Sequence, residues 1–402
     1  MKTGYRRSNP FSVFSVFFMF LCAQAAFPIT HEFIAIDEGL ENLLYINQND
    51  STKNWKISIS NVYPSRDMQL VGNNRILIGD YNGYTEYNID SGAIMRRDSS
   101  FDTGVTSVRR LANGQTILFG TNLSGSTGIV MVKLDSNNNP IKKVVYPTGS
   151  YVRIARQTNT GTFMLACDDS LREADTNGHY IWQKYIAWAA DPTGKHIWKA
   201  ERLDNGNILL SGGYGAFLAE IDTAGKFIDT IGVAAAKTDN AGPFFYAMWQ
   251  RLSNGDIVVA NWQGHGAGHD TTGKVHELIE FDTSGKIVWT WDNPSLVSSL
   301  QGVLILDSLN TNLIYDDRDG SLPMQPLTSP TSVIPPSYRA PNPQSPGEAL
   351  PLSPDGRLQL FDLLGRSASP AQWKGGKIED VGSGIYILKS GAGSWKYPQL
   401  RN

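Results

Sequence analysis

The segment WQGHGAGHD at 262–270 places two imidazoles, His265 and His269, among three glycines and next to an indole, an amide and a carboxylate. Glycine neighbours leave both rings exposed and movable, and three kinds of chemistry are open to them. His265, His269 and Asp270 could hold a metal, although an H-x-x-x-H spacing in a loop lacks the fixed geometry that a helix would give it. One imidazole could act as an acid–base group or as a nucleophile. The loop could equally serve as a solvated, polar ligand-binding segment. A second set is Arg110, Arg202 and Arg251, each three residues before the asparagine of a turn. Guanidinium groups at one level could clamp an oxyanion by paired hydrogen bonds, or each could hold the same turn in successive repeats.

These residues sit on a repeated unit. The segment 249–291 contains WQRLSNGDIVVANW and HELIEFDTSGKIVWTW, apolar runs separated by Asn254-Gly255 and by Asp282-Thr283-Ser284-Gly285. Asn-Gly suits a tight hairpin, and in the second turn Asp can cap while Gly takes positive φ, so the unit reads as a meander of short antiparallel strands. Related units occupy 31–60, 68–94, 108–141, 152–182 and 200–231, and the turn glycines Gly114, Gly161, Gly206 and Gly255 are 47, 45 and 49 residues apart. A period in the forties with four strands per unit predicts blades stacked around an axis. The first unit shows three strands, and SLVSSLQGVLILDS at 295–308 has no blade of its own. The fold expected is all-β: a six-bladed β-propeller closed by pairing of N- and C-terminal segments, plus a small C-terminal β-module.

In such a ring the residues that follow each second strand converge on one rim. They include Asp37 and Glu38, Asp80 and Tyr81, Asp168 and Asp169, Tyr214, then Asn261, Trp262 and Gln263. Carboxylates, amides and aromatic faces gathered in one funnel suit a sugar or another polyhydroxylated ligand; the alternative is a set of solvated turn residues.

Composition narrows the class. Among 402 residues, 41% are hydrophobic and 18% charged, and the formal net charge is −3 with Lys and Arg scattered, so no nucleic-acid partner is expected. A basic start (Lys2, Arg6, Arg7), an apolar run at 11–21 and Ala23-Gln24-Ala25 form a secretory signal over 1–25. The remaining expectations are a propeller over 26–318, a Pro-rich linker over 319–355 and a module over 356–402. With Cys22 in the signal, Cys167 is left as a buried strand cysteine. No P-loop, dinucleotide fingerprint or G-x-S-x-G elbow occurs, and no cofactor is assigned.

The pair RLDNGNILL and RLSNGDIVV, each followed by E-x-D-x-x-G-K, resembles the repeats of arylsulfotransferase-like and quinoprotein-like β-propellers. Asp282, Gly285 and Trp289 match a segment that in quinoproteins ties neighbouring blades together; Asp222 and Gly225 match it without the tryptophan. The disulfide and metal pattern of quinone dehydrogenases is missing. FDLLGR at 361–366 and GIYILK at 384–389 resemble the sorting domain of proteins exported by the type IX or a related system. The second resemblance implies secretion or surface display through outer-membrane machinery, and the rim residues lead to the expectation of a monomer that binds an extracellular glycan or small anionic ligand. The alternative is an extracellular enzyme, sulfotransferase-like or polysaccharide-degrading, in which His265 or His269 reacts and the arginines clamp.

Overall fold

A computed structural model describes residues 28–59, 67–101, 104–147, 151–186, 196–232, 242–265 and 275–315, together with the backbone of five strands between 359 and 399. The expected signal segment and linker, and His269, lie outside the described residues. The chain divides into two compact units, Met1–Thr328 and Ser329–Asn402.

The first unit is a six-bladed propeller, each blade a four-stranded antiparallel meander. From the inner strand outward, blade two is Met68–Leu70, Arg75–Asp80, Gly83–Asn88 and Ile94–Asp98. Blade three is Val105–Arg110, Thr116–Thr121, Ile129–Leu134 and Pro140–Tyr146. Blade four is Ala155–Gln157, Phe163–Cys167, Ser170–Ala174 and Tyr180–Tyr185. Blade five is Ala200–Arg202, Ile208–Ser211, Leu218–Ile221 and Phe227–Ile231. Blade six is Phe245–Arg251, Ile257–Trp262, Leu278–Phe281 and Ile287–Trp291.

Blade one is composite. Its inner strand is Leu300–Ile305, followed outward by Glu32–Asp37, Asn42–Asn47 and Trp55–Ser58. Phe33 faces Ile305, Ile34 faces Leu304 and Ala35 faces Val303, so the end of the ring supplies the strand that its beginning lacks. This closure leaves no blade with an open flank.

Turn chemistry repeats with the blades. Asp282 accepts the backbone N–H groups of Ser284 and Lys286, both at 2.9 Å, and Gly285 takes φ +79°. Asp222 caps its turn in the same way through Ala224 and Lys226. Second strands such as Phe163–Cys167 are wholly buried, whereas the outermost strand of blade five is almost wholly exposed. Each of six apolar clusters lies between two successive blades: Ile34 and Ile36 with Leu70 and Ile76, for example, or Val258 and Leu278 with Phe33 and Ala35. Burying both blade faces supplies the main driving force.

Inner strands have one unpaired edge, and side chains of the preceding blade satisfy it. The Gln250 amide accepts from Ile305 N–H at 2.6 Å and donates to the Ile305 carbonyl at 3.1 Å; Gln69 does the same for Arg110 of blade three. Near the axis Asp67 binds Arg156 and Arg109, each at 3.0 Å, and Lys199 binds Glu201 at 2.7 Å. These pairs neutralise charges that would be costly to bury alone.

Outer strands lock successive blades. The Trp55 indole donates to the Ile89 carbonyl of blade two at 2.8 Å, and the Trp182 indole donates to the Thr223 carbonyl of blade five at 2.9 Å. Arg96 donates to Ser136 of blade three, Tyr146 donates to Asp175 of blade four, and Trp289 packs edge-on against His31 with centroids 4.5 Å apart.

In the second unit, Gln359–Asp362, Gly384–Ser390 and Gly393–Gln399 form a three-stranded sheet with Gly384–Ser390 in the middle. Gln372–Lys374 and Lys377–Glu379 form a separate hairpin. Phe361 and Asp362, which begin the FDLLGR segment, are therefore paired with GIYILK, with Phe361 opposite Ile387.

Candidate functional site

Because strands alternate in direction, the ends of the second strands and the starts of the inner strands share one rim, while the first hairpin of each blade lies on the other. On the first rim, blades four, five, six and one build an aromatic basin. Its floor is the buried cluster Ile154, Trp198, Phe245, Ala247 and Trp262. Trp198 and Phe245 meet edge to face at 5.3 Å, and Phe245 and Trp262 do so at 5.0 Å. The Arg153 guanidinium lies 4.6 Å from the Trp198 ring centre and 4.9 Å from that of Tyr151, a stacked cation that closes one side.

Above the floor stand Tyr214 and Phe244, perpendicular to each other at 5.7 Å. They are 37% and 43% exposed, so together they present an apolar face to solvent. Tyr214 also packs on Phe245 at 4.7 Å and on Trp262 at 6.3 Å.

Two histidine–carboxylate pairs flank these rings. His265 Nδ1 lies 2.7 Å from Glu38 Oε1, and the other Glu38 oxygen accepts the Trp262 indole N–H. His265 stands edge-on to Trp262 at 4.7 Å. His196 Nδ1 lies 3.0 Å from Asp168 Oδ1, and its ring tilts over Tyr214 at 5.7 Å. In each pair a carboxylate fixes the ring orientation and directs the other nitrogen away from itself.

Local backbone explains how these groups are held. Asp168 takes φ +46°, which turns the chain between the second and third strands, and its carbonyl accepts Ile197 N–H at 2.6 Å. Gly213 has φ +56°, and a Cβ there would sit 2.3 Å from the His196 carbonyl, so only glycine permits that approach. Asn261 accepts from Phe244 and Phe245 N–H and donates to the Gly242 and His276 carbonyls. All four of its hydrogen-bonding positions are thereby used in holding the aromatic segment.

Of the residues singled out from sequence, Asp168, Tyr214, Trp262 and His265 come together in this basin. Asn261 and Gln263 border it, with Gln263 donating to the Asn261 carbonyl at 2.7 Å. Asp80 and Tyr81 belong to blade two, outside the aromatic cluster. Asp80 is buried, accepts Asn82 N–H and the Thr85 hydroxyl at 3.1 Å each, and burial raises its pKa.

Arg110, Arg202 and Arg251 lie on the opposite, hairpin rim. Arg110 donates to Glu86 at 2.7 Å, and Arg202 to Glu173 at 2.5 Å and to the Gly206 carbonyl of its own turn at 2.8 Å. Each glutamate comes from the third strand of the preceding blade. Cys167 is buried, and burial pushes its thiol pKa up to about 12. Among the described residues no group of three or more His, Cys, Asp or Glu is placed to hold a metal ion.

Sequence reasoning placed Glu38 on this rim but did not pair it with His265. It also passed over His196 and Phe244, which precede inner strands and follow no repeated motif.

No family model matches the chain, and no curated protein is similar to it in sequence. Among solved structures, a Bacteroides caccae protein of unknown function has 17% identity and a TM-score of 0.56 over 68% of this chain and 98% of that one. A catalytically inactive variant of virginiamycin B lyase from Staphylococcus aureus, crystallised with quinupristin, has 12% identity and a TM-score of 0.41 over 65% of this chain and 84% of that one. A streptogramin B lyase has 12% identity and a TM-score of 0.40 over 69% and 95%. At these identities the Bacteroides caccae structure supports the fold alone.

Proposed function

We propose that the aromatic basin binds an extracellular polyhydroxylated ligand, a carbohydrate, and that the protein works as a secreted or surface-displayed binding propeller. The observation that carries this reading is the pair of exposed, perpendicular rings, Tyr214 and Phe244, set between two histidine–carboxylate pairs. Flat apolar faces accept the C–H surface of a sugar ring, while imidazole and carboxylate groups reach its hydroxyls; ligand sites characteristically combine apolar walls with a few placed polar groups. The secretory segment at 1–25 and the module at 356–402 fit export and retention by outer-membrane machinery.

A glycan array followed by calorimetry on the purified chain tests the reading. Tyr214→Ala and Phe244→Ala each lower affinity for the selected glycan at least tenfold without changing Tm. Retention of full affinity in both variants removes the basin from the account.

One observation favours a hydrolytic or transfer activity on the same ligand class. His265 and His196 are each oriented through Nδ1 by a carboxylate, the arrangement that fixes a general base or a nucleophile. In this second reading His196→Ala or His265→Ala abolishes turnover of the bound glycan or its sulfate ester while binding persists. Binding without turnover in the unaltered protein leaves the binding role alone.

A further inference from the structure

In four of the six blades the register partner of the third-strand glutamate or its equivalent locks the blade to the next. It is Trp55 in blade one (opposite Tyr45), Arg96 in blade two (opposite Glu86), Trp182 in blade four (opposite Glu173) and Trp289 in blade six (opposite Glu280). In blade three Lys142 holds the position, and Tyr146, four residues further on, reaches the turn of blade four. In blade five the partner of Glu220 is Asp229, too short and of the wrong polarity to lock anything.

The consequence is a cavity of about 420 Å³ at the hairpin rim between blades five and six. Thr283, the counterpart of the Thr223 whose carbonyl receives the Trp182 indole, is part of its wall. Leu209, Ile231 and Ile257 give the wall an apolar portion, and its volume is within the range of small-ligand sites. Asp204, Glu220, Asp229 and Asp282 contribute four carboxylates against one guanidinium, Arg251. One oxygen of Glu220 accepts from the Asn205 and Asn207 amides, one of Asp229 from Thr230 N–H and one of Asp282 from its own turn, which leaves the second oxygen of each for a guest.

Blade two shows in the same chain what fills such a position when the occupant is a cation. The Arg96 guanidinium donates to the Ser136 carbonyl of the D-x-x-x-N turn and to Asn138, and lies 6.0 Å from the Tyr84 ring centre. We propose that the cavity between blades five and six is a binding site for a guanidinium group supplied from outside the propeller, received at the Thr283 carbonyl as Arg96 is received at the Ser136 carbonyl, with carboxylates in place of Asn138 and Tyr84. A planar fork of N–H donors matches both a turn carbonyl and paired carboxylates, and the apolar wall takes the aliphatic stem. The site is on the opposite rim from the aromatic basin and is independent of it.

Calorimetry on the full chain with N-acetyl-arginine amide, and with N-acetyl-citrulline amide as its neutral isostere, tests the proposal. The arginine derivative binds at one site, and the citrulline derivative binds at least tenfold more weakly. Asp229→Trp, which places in blade five the residue that blades four and six carry, abolishes binding. Asp229→Asn, which leaves the shape unaltered, weakens binding about tenfold, the change expected for losing one charge-assisted contact. Tyr214→Ala leaves binding unchanged. Free arginine separates the two sources of the group: binding equal to that of the blocked derivative indicates a small metabolite, and much weaker binding indicates an arginine side chain within a peptide. Equal affinity for the arginine and citrulline derivatives, no binding of either, or undiminished binding in both Asp229 variants overturns the proposal.

Discussion

The two rims of this ring are made by the same six blades and obey different rules. On the hairpin rim, polar groups repeat and are matched: Arg110 with Glu86, Arg202 with Glu173, and His31 with Glu280. On the other rim, His196, Tyr214, Phe244 and His265 have no counterparts in neighbouring blades, and three of the rings, Tyr214, Phe244 and His265, are exposed. Repetition around a propeller marks what every seam needs to hold together. Departure from it marks where the seams do not dictate the residue, and the cavity beside Asp229 is a departure within the repeating rim itself.

The comparison breaks most severely if the ring is opened. Deleting 299–307 removes the inner strand of blade one and strips Ala35 and Ile36 of their partners. Thermal and denaturant unfolding of that variant is expected to lose its single cooperative transition, whereas fraying limited to blade one contradicts a closed ring.

Next in size are the interblade pairs. Arg202→Ala leaves Glu173 buried without its partner and costs about 3 kcal/mol in chemical denaturation, with glycan binding unchanged. The His31 pair adds a pH signature. Burial by itself would lower the His31 pKa, but hydrogen bonds to Asp307 and Glu280 outweigh it and raise the value to about 9. A group whose folded pKa exceeds its unfolded value stabilises fully below the unfolded pKa, near 6.5, and that contribution is lost as pH rises through the folded value. Stability is therefore expected to decline by about 3 kcal/mol between pH 6.5 and 9. His31→Ala lowers stability and flattens that segment of the curve; an unchanged slope removes His31 from the seam's energetics.

A smaller, opposite effect comes from Asp229→Trp. Filling the cavity between blades five and six is expected to raise stability by about 1 kcal/mol, measured as a shift in the denaturation midpoint. The smallest stability effects belong to Tyr214→Ala and Phe244→Ala, whose rings are already partly solvated.

Much of the ring was legible because turns and strand lengths are local. Asn-Gly and D-x-x-G turns mark hairpins by backbone chemistry alone, and the orphan strand at 300–305 was visible because blade one counted only three strands. The missing tryptophan after Asp222-Gly225 was equally visible, though the cavity it leaves was not. The basin was harder to read. His196 meets Asp168 across the junction of two blades, and Glu38 reaches His265 across the closure of the ring, contacts that no local pattern encodes. The arginines were legible only in part. Their common level was readable, but which rim that level belongs to depends on strand direction and on glutamates one blade away.

The separation of the two rims can be measured in one paired experiment: unfolding free energy and glycan affinity for Tyr214→Ala and Arg202→Ala side by side. The expected result is a crossed pattern, with affinity lost and stability kept in the first variant and stability lost with affinity kept in the second. Loss of both properties together in each variant, or loss of affinity only in Arg202→Ala, contradicts a functional rim and a structural one.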